Sequence, residues 1–240
     1  MLIKKQYIGN EQPLPIPLII ETLLDFLDSK TVNKDNLINK AKIYYKGKNR
    51  LNKTVNAIYS IVSKSSILNT ALFKKFSASE FCSLPEIDKR IIVLSMICLR
   101  YPFMFNLLTV LGKLLTVQDV VNKQYIIKKM AAIYGSNLSL LHALDANLSI
   151  AVDANIITRE KRGLFSKSAI PKIGPFAKEA YIYTWFELNG RKLFLVDNLK
   201  YEPFMFFLDN VSINWDRTNI LKGSLSYGNK IVIDKVLVKS

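Results

Sequence analysis

The sequence predicts a mainly α protein with a C-terminal antiparallel β-unit, an α+β class built on a helical bundle. One stretch of it has the order of a winged helix-turn-helix. Three observations predict this. Apolar residues recur at helical spacing from Ile19 to Leu115, the pattern of helices that bury one face or more. Two short β-prone pieces, residues 156–158 and 164–166, flank a charged turn containing Gly163. From Ala180 onward the texture becomes aromatic and β-branched, with Asn189-Gly190 and Gly228-Asn229 as hairpin signals.

A proline-rich lead, Pro13-Leu14-Pro15-Ile16-Pro17, precedes the first helix, where Ile19, Ile20, Leu23 and Leu27 share a face opposite Glu21, Asp25 and Asp28. The next helix is expected over residues 34–45, ending near Gly47. A third is expected over 50–64, where Leu51, Val55, Ile58 and Val62 recur on one side and Lys53, Ser60 and Lys64 on the other. Further helices are expected at 67–76, 86–100, 103–115 and 117–134. Gly135-Ser136-Asn137 marks a turn, and Asn137 or Ser139 is positioned to cap a helix reaching about Val152. The hairpin at 156–166 completes the order helix, turn, helix, basic hairpin. Residues 181–188 and 191–196 are expected to form a second hairpin, and 221–227 with 230–238 a third. Pro171 to Pro175 mark the junction, so the expected division is 1–170 for the helical domain and 171–240 for the β-unit.

The chain has 240 residues, half of them hydrophobic and 22% charged, which excludes a disordered or disulfide-stapled chain. Its two cysteines, Cys82 and Cys98, lie in apolar contexts and are expected to be reduced, buried thiols. The start, Met1-Leu2-Ile3-Lys4-Lys5, lacks the features of a signal peptide, so the cytoplasm is the expected compartment. Residues 91–117 are the most apolar. Arg100, Pro102 and Lys113 interrupt them, and the longest uncharged run, 101–112, falls short of the roughly 18–20 residues a span needs. Buried core helices are expected there.

Charge is the dominant anomaly. Lys and Arg number 34 against 19 Asp and Glu, a net +15. Residues 1–79 contribute +8, 80–157 only +1, and 158–240 the remaining +6. Residues 36–79 hold nine Lys/Arg and no acid at all, whereas an ordinary solvated surface mixes both signs. Nucleic acid is the commonest polyanion such a balance serves. Candidate phosphate contacts are Lys40, Lys42, Lys46, Lys48, Arg50, Lys53 and Lys64, with Arg159, Lys161 and Arg162 on the hairpin. The helix before the hairpin carries Asp145 and Asp153 but no Lys or Arg, so base reading from it is expected to be poor. The rival readings are an adaptor that docks an acidic protein and a membrane-associated protein using residues 91–117.

Motifs for chemistry are missing. One histidine, His142, and two distant cysteines cannot build a zinc site. Gly112-Lys113 is followed by Leu114, where a phosphate loop needs Ser or Thr. There is neither a nucleophile elbow nor a dinucleotide fingerprint. Glu86 and Asp88 fit the acid-favouring first turn of a helix better than a nuclease cluster. A non-catalytic protein without cofactor or metal is expected.

The order of elements resembles that of the BrxA family of BREX phage-defence systems, over about residues 14–166. The likeness lies in the basic helix opening at Arg50-Leu51, the helix 86–100, the apolar segment 101–117 and the ending Ala154-Asn155-Ile156-Ile157. The resemblance implies a DNA-binding accessory protein without catalysis, with duplex DNA and other defence-system proteins as partners.

Overall fold

Two prolines set the start of the first helix. In the computed structural model, which describes residues 8–69, 71–74, 76–136, 138–170, 172–189, 193–209, 223–225 and 230–233, Pro15 precedes helix α1 (Ile16–Ser29) and Pro17 occupies its first turn. A proline there loses no intrahelical hydrogen bond. Leu18, Ile19 and Leu23 of α1 are fully buried. Helix α2 (Lys34–Ala41) is capped by Asn33, whose side chain accepts from the Asn36 amide at 3.0 Å. It stops four residues earlier than expected, and residues 42–44 form a turn instead. Only Leu37 and Ala41 of α2 are buried, so packing does not hold a longer helix.

Helix α3 (Lys48–Ser63) buries Leu51, Val55, Ile58 and Val62, the expected face. The helix expected over 67–76 is broken into a 3-10 turn (Ser66–Asn69) and a short α4 (Ala71–Lys74). Helix α5 (Ala78–Ser83) was not expected. Ser77 and Glu80 close its capping box, which holds the Glu80 carboxyl below the ordinary range through the Ser77 backbone amide. Cys98 is buried, but Cys82 on α5 is exposed, against the expectation for both. A six-residue helix at the surface buries little beyond Phe81.

Helices α6 (Glu86–Arg100) and α7 (Pro102–Leu115) follow as expected. Residue Tyr101, forced out of the helical region by the proline after it, bends them by 116°. Every residue from Ile91 to Cys98 is buried, because α6 is central and meets α1, α3, α7 and a later helix, α10 (Pro175–Asn189). Among the described residues no single helix is long and apolar enough to cross a membrane.

Beyond α7 the chain forms a strand, β1 (Val120–Asn122), then α8 (Lys123–Tyr134) and α9 (Leu138–Asp153), then β2 (Ile157–Lys161) and β3 (Leu164–Lys167). The helix expected over 117–134 therefore starts six residues late. The β-branched Val120 and Val121 pair antiparallel with β3, Val121 opposite Phe165, and both of these residues are buried. Asn122 then caps α8 by accepting from the Gln124 amide at 2.9 Å. Gly135 ends α8 at φ 79°, while the cap expected at Asn137 lies outside the described residues. Ser139 sits inside α9 and not at its cap. The sheet order is β1-β3-β2. Gly163, at φ 79°, supplies the left-handed turn between β2 and β3.

The largest departure concerns residues 181–188. They form no strand: they lie in α10, whose residues from Glu179 to Phe186 are all buried. A helix covered on every side shows no 3.6-residue alternation, so its aromatic, β-branched run reads locally as a strand. Tyr181 stacks on Phe204 at 4.1 Å between centroids, and its hydroxyl donates to the Phe204 carbonyl at 2.9 Å. Residues 175–189 thus join the helical core, and the C-terminal β-unit narrows to a second three-stranded antiparallel sheet. Its order is β4 (Leu193–Leu195), β6 (Lys230–Ile233), β5 (Gly223–Leu225). The β5–β6 pairing matches the third expected hairpin, and its Gly228-Asn229 tip lies outside the described residues. Gly112 lets α7 approach the 3-10 turn Pro203–Met205 closely: a Cβ there would sit 1.8 Å from the Pro203 carbonyl oxygen.

Candidate nucleic-acid interface

The turn after α2 and the start of α3 carry the densest cations. Lys42, Lys46, Lys48 and Arg50 are all exposed. Helix α3 opens with Lys48 and Arg50, has no acid in its first turn and receives no side-chain cap. Its dipole is positive at that end, so each cation there is disfavoured by about 0.3–1 kcal/mol. An anion bound across this turn relieves that repulsion.

Local contacts sort the candidates. Lys40 is directed at α1, with Nζ 2.8 Å from Asp25 and 3.7 Å from Glu21, and is half-buried. It is a strut between helices rather than a surface cation. Lys42 donates to the Asn39 side-chain oxygen at 3.0 Å. The Arg50 guanidinium lies over the Tyr45 ring at 5.2 Å, and Tyr45 donates to the Pro13 carbonyl at 2.7 Å. On the hairpin, Arg159 lies 5.6 Å from the Phe165 ring centroid, which anchors its stem. A bulge between Arg159 and Lys161 re-aims the strand before the exposed Lys161 and Arg162.

Asp153, at the C-terminus of α9, lies within electrostatic reach of both Tyr45 and Arg159. A cleft of about 480 Å³ is lined by Tyr44, Tyr45, Arg90, Val152 and Asp153 together with Pro13, Pro15 and Pro17. Arg90 donates to the Asp153 carbonyl at 2.9 Å and pairs with Glu86 at 3.2 Å. Burial pushes the Asp153 carboxyl up, while Arg90 and then Arg159 draw it down. Arg50, Tyr45, Asp153, Arg90 and Arg159 therefore form one connected neighbourhood.

Lys53 and Lys64 lie elsewhere. They line a second cleft of about 560 Å³ with Tyr59, Ser60, Arg100 and Glu11. Arg100 donates to the Ser60 hydroxyl and lies over the Tyr101 ring at 5.4 Å. Arg90, Arg100, Tyr44 and Tyr45 escaped the sequence reading. Arg90 and Arg100 sit in a nearly neutral, apolar helix, but the run Lys42-Ile43-Tyr44-Tyr45-Lys46 carries a legible signal, aromatics interleaved with lysines.

The carboxylates of α6 have structural partners. Glu86 holds Arg90, and the buried Asp88 accepts from the Gly174 amide at 2.9 Å, tying α6 to the segment before α10. His142 is exposed on α9. Among the described residues no group of three or more His, Cys, Asp or Glu is placed to hold a metal. Helix α9 also exposes Leu138 and Leu141, and its Asp145 is paired with Lys123 of α8. No family model, curated protein or solved structure matches the chain.

Proposed function

We propose that this chain is a non-catalytic protein that binds duplex DNA mainly through phosphates. The observation that carries the reading is the succession α7, β1, α8, α9, β2, β3 with sheet order β1-β3-β2, ending in a hairpin that bears Arg159, Lys161 and Arg162. That order and that sheet support reading the unit as a winged helix-turn-helix, with α8 and α9 as the helix pair and β2–β3 as the wing. The segment 102–170 holds eight Lys/Arg against four Asp/Glu, so this unit is cationic by itself.

The wing and the α2–α3 connection hold the backbone, through Lys161 and Arg162 on the hairpin and Lys42, Lys46, Lys48 and Arg50 on the connection, all of them exposed. Lys53 and Lys64, with Arg100, extend the cationic surface along α3. Helix α9 reads few bases: it has no Lys or Arg, and its exposed side chains include leucines and a paired aspartate. Sequence preference is therefore weak, since phosphate contacts carry no sequence information. What the resemblance to the BrxA family implies, and what we propose with it, is a role in bacterial phage defence as an accessory DNA binder.

Fluorescence anisotropy with labelled duplexes of unrelated sequence, titrated against salt, tests the reading. The expected result is similar affinity for each duplex and a log K against log salt slope of about −0.9 per phosphate neutralised. Absence of binding at low salt overturns it. Binding of an acidic protein with no binding of DNA favours the adaptor.

A further inference from the structure

A surface built only for phosphates accounts for the lysines of the α2–α3 connection but not for what lies between them. Ile43 is 85% exposed and Tyr44 42% exposed. Leaving such side chains in water forgoes about 25 cal/mol for each Å² of apolar surface that burial would cover. Tyr45 is fixed in place by its bond to Pro13 and by the Arg50 guanidinium over its ring. Tyr44, whose ring centroid is 6.5 Å from that of Tyr45, lines the same cleft as Pro15 and Pro17. Two tyrosines and three prolines, Pro13, Pro15 and Pro17, thus form part of the lining.

Asp153 is the second feature that phosphates leave unexplained. A carboxylate repels a phosphate, yet this one lines the cleft beside Arg90, whose guanidinium donates to the Asp153 carbonyl at 2.9 Å. A carboxylate does accept from the N–H groups of a base edge, such as the exocyclic amine of cytosine. Aromatic and proline lining, an acceptor in the same cleft and exposed lysines flanking the tyrosines in sequence match the chemistry of single-strand recognition, in which a base stacks while its phosphates meet cations. An acid-free run from residue 36 to 79 favours a polyanion over a peptide as the occupant.

We propose that this cleft takes an unpaired DNA base, stacked on Tyr44 with its edge toward Asp153 and its flanking phosphates on Lys46 and Arg50. The protein then favours duplex carrying a single-stranded tail over blunt duplex of the same sequence. This rests on the nucleic-acid reading above and adds a preference which that reading does not require.

The test uses the full chain, a blunt duplex, and the same duplex with a tail whose first unpaired position is 2-aminopurine. Tighter binding of the tailed duplex is expected, with quenching of the 2-aminopurine as it stacks. Tyr44→Ala should weaken the tailed complex about 5- to 150-fold, the range of one lost base–aromatic stack, and leave the blunt complex unchanged. Tyr44→Phe, which keeps the ring, should retain both the preference and the quenching, and thermal melts check that each variant is folded. Equal affinity for the two duplexes, or an equal loss on both in Tyr44→Ala, overturns the inference while leaving duplex binding intact. Binding of the tailed form alone supports the cleft and overturns the duplex reading.

Discussion

The wing offers the cleanest perturbation, because two of its cations can be removed without touching the core. Lys161 and Arg162 are exposed at the β2–β3 turn. Arg159 is left in place: its stem packs on the buried Phe165, so losing it disturbs packing as well as charge. The double substitution Lys161→Ala with Arg162→Ala should change stability by less than about 0.5 kcal/mol, as exposed replacements usually do. If each cation neutralises one phosphate, their loss lowers the salt slope by about 1.8, at about 0.9 per contact. Between about 50 and 200 mM salt, a change of about 0.6 in log salt, the wild type should lose about twelvefold more affinity than the variant. Anisotropy titrations at four or more salt concentrations, alongside thermal melts, read both quantities. A variant that melts like the wild type and keeps its full salt slope would show that the hairpin does not touch the backbone.

Three further outcomes follow from other parts of the molecule. Lys53→Glu with Lys64→Glu reverses two charges in the second cleft; DNA affinity should fall by a similar factor for every sequence and the slope should drop, whereas unchanged binding would make that face ordinary solvated surface. Gly112→Ala drives a methyl group into the Pro203 carbonyl, so thermal melting should report a loss of about 1–3 kcal/mol; an unchanged melting temperature would mean that the 203–205 segment is not held against α7. Burial pushes Tyr183 up to about 12, and burial also raises Tyr134 and Tyr181. Their native pKa values lie above the unfolded value of about 10, so their contribution to stability is complete below that pH and disappears as pH climbs toward 12. Denaturant titrations across that window should show stability falling with pH, and a flat profile would contradict the burial of these phenols.

Much of this protein was legible in its residues alone, and what was legible was local. Leu51, Val55, Ile58 and Val62 marked the buried face of α3 because its other side meets water, and that contrast produces the 3.6-residue period. The helices at 86–100 and 103–115 declared themselves through Pro102, which breaks them wherever they pack. Gly163 between two β-prone pieces was enough for the hairpin. The acid-free run from residue 36 to 79 is likewise plain in the sequence, and the proposal of a polyanionic partner starts from it. Three things belonged to the tertiary structure. Helix α10 is buried from Glu179 to Phe186, so the contrast that marks a helix is absent, and its aromatic run imitates a strand. Strand β1 exists because β3, over forty residues away, offers Phe165 opposite Val121 and carbonyl and amide partners for its backbone. The cleft joins Tyr44 and Tyr45 to Arg90 and Asp153, residues that share no local pattern, and the packed core alone brings them within reach. Period and turn chemistry act over a few residues and can be read in order along the chain. Burial on all sides, strand partnership and the convergence of distant side chains depend on what the rest of the chain does.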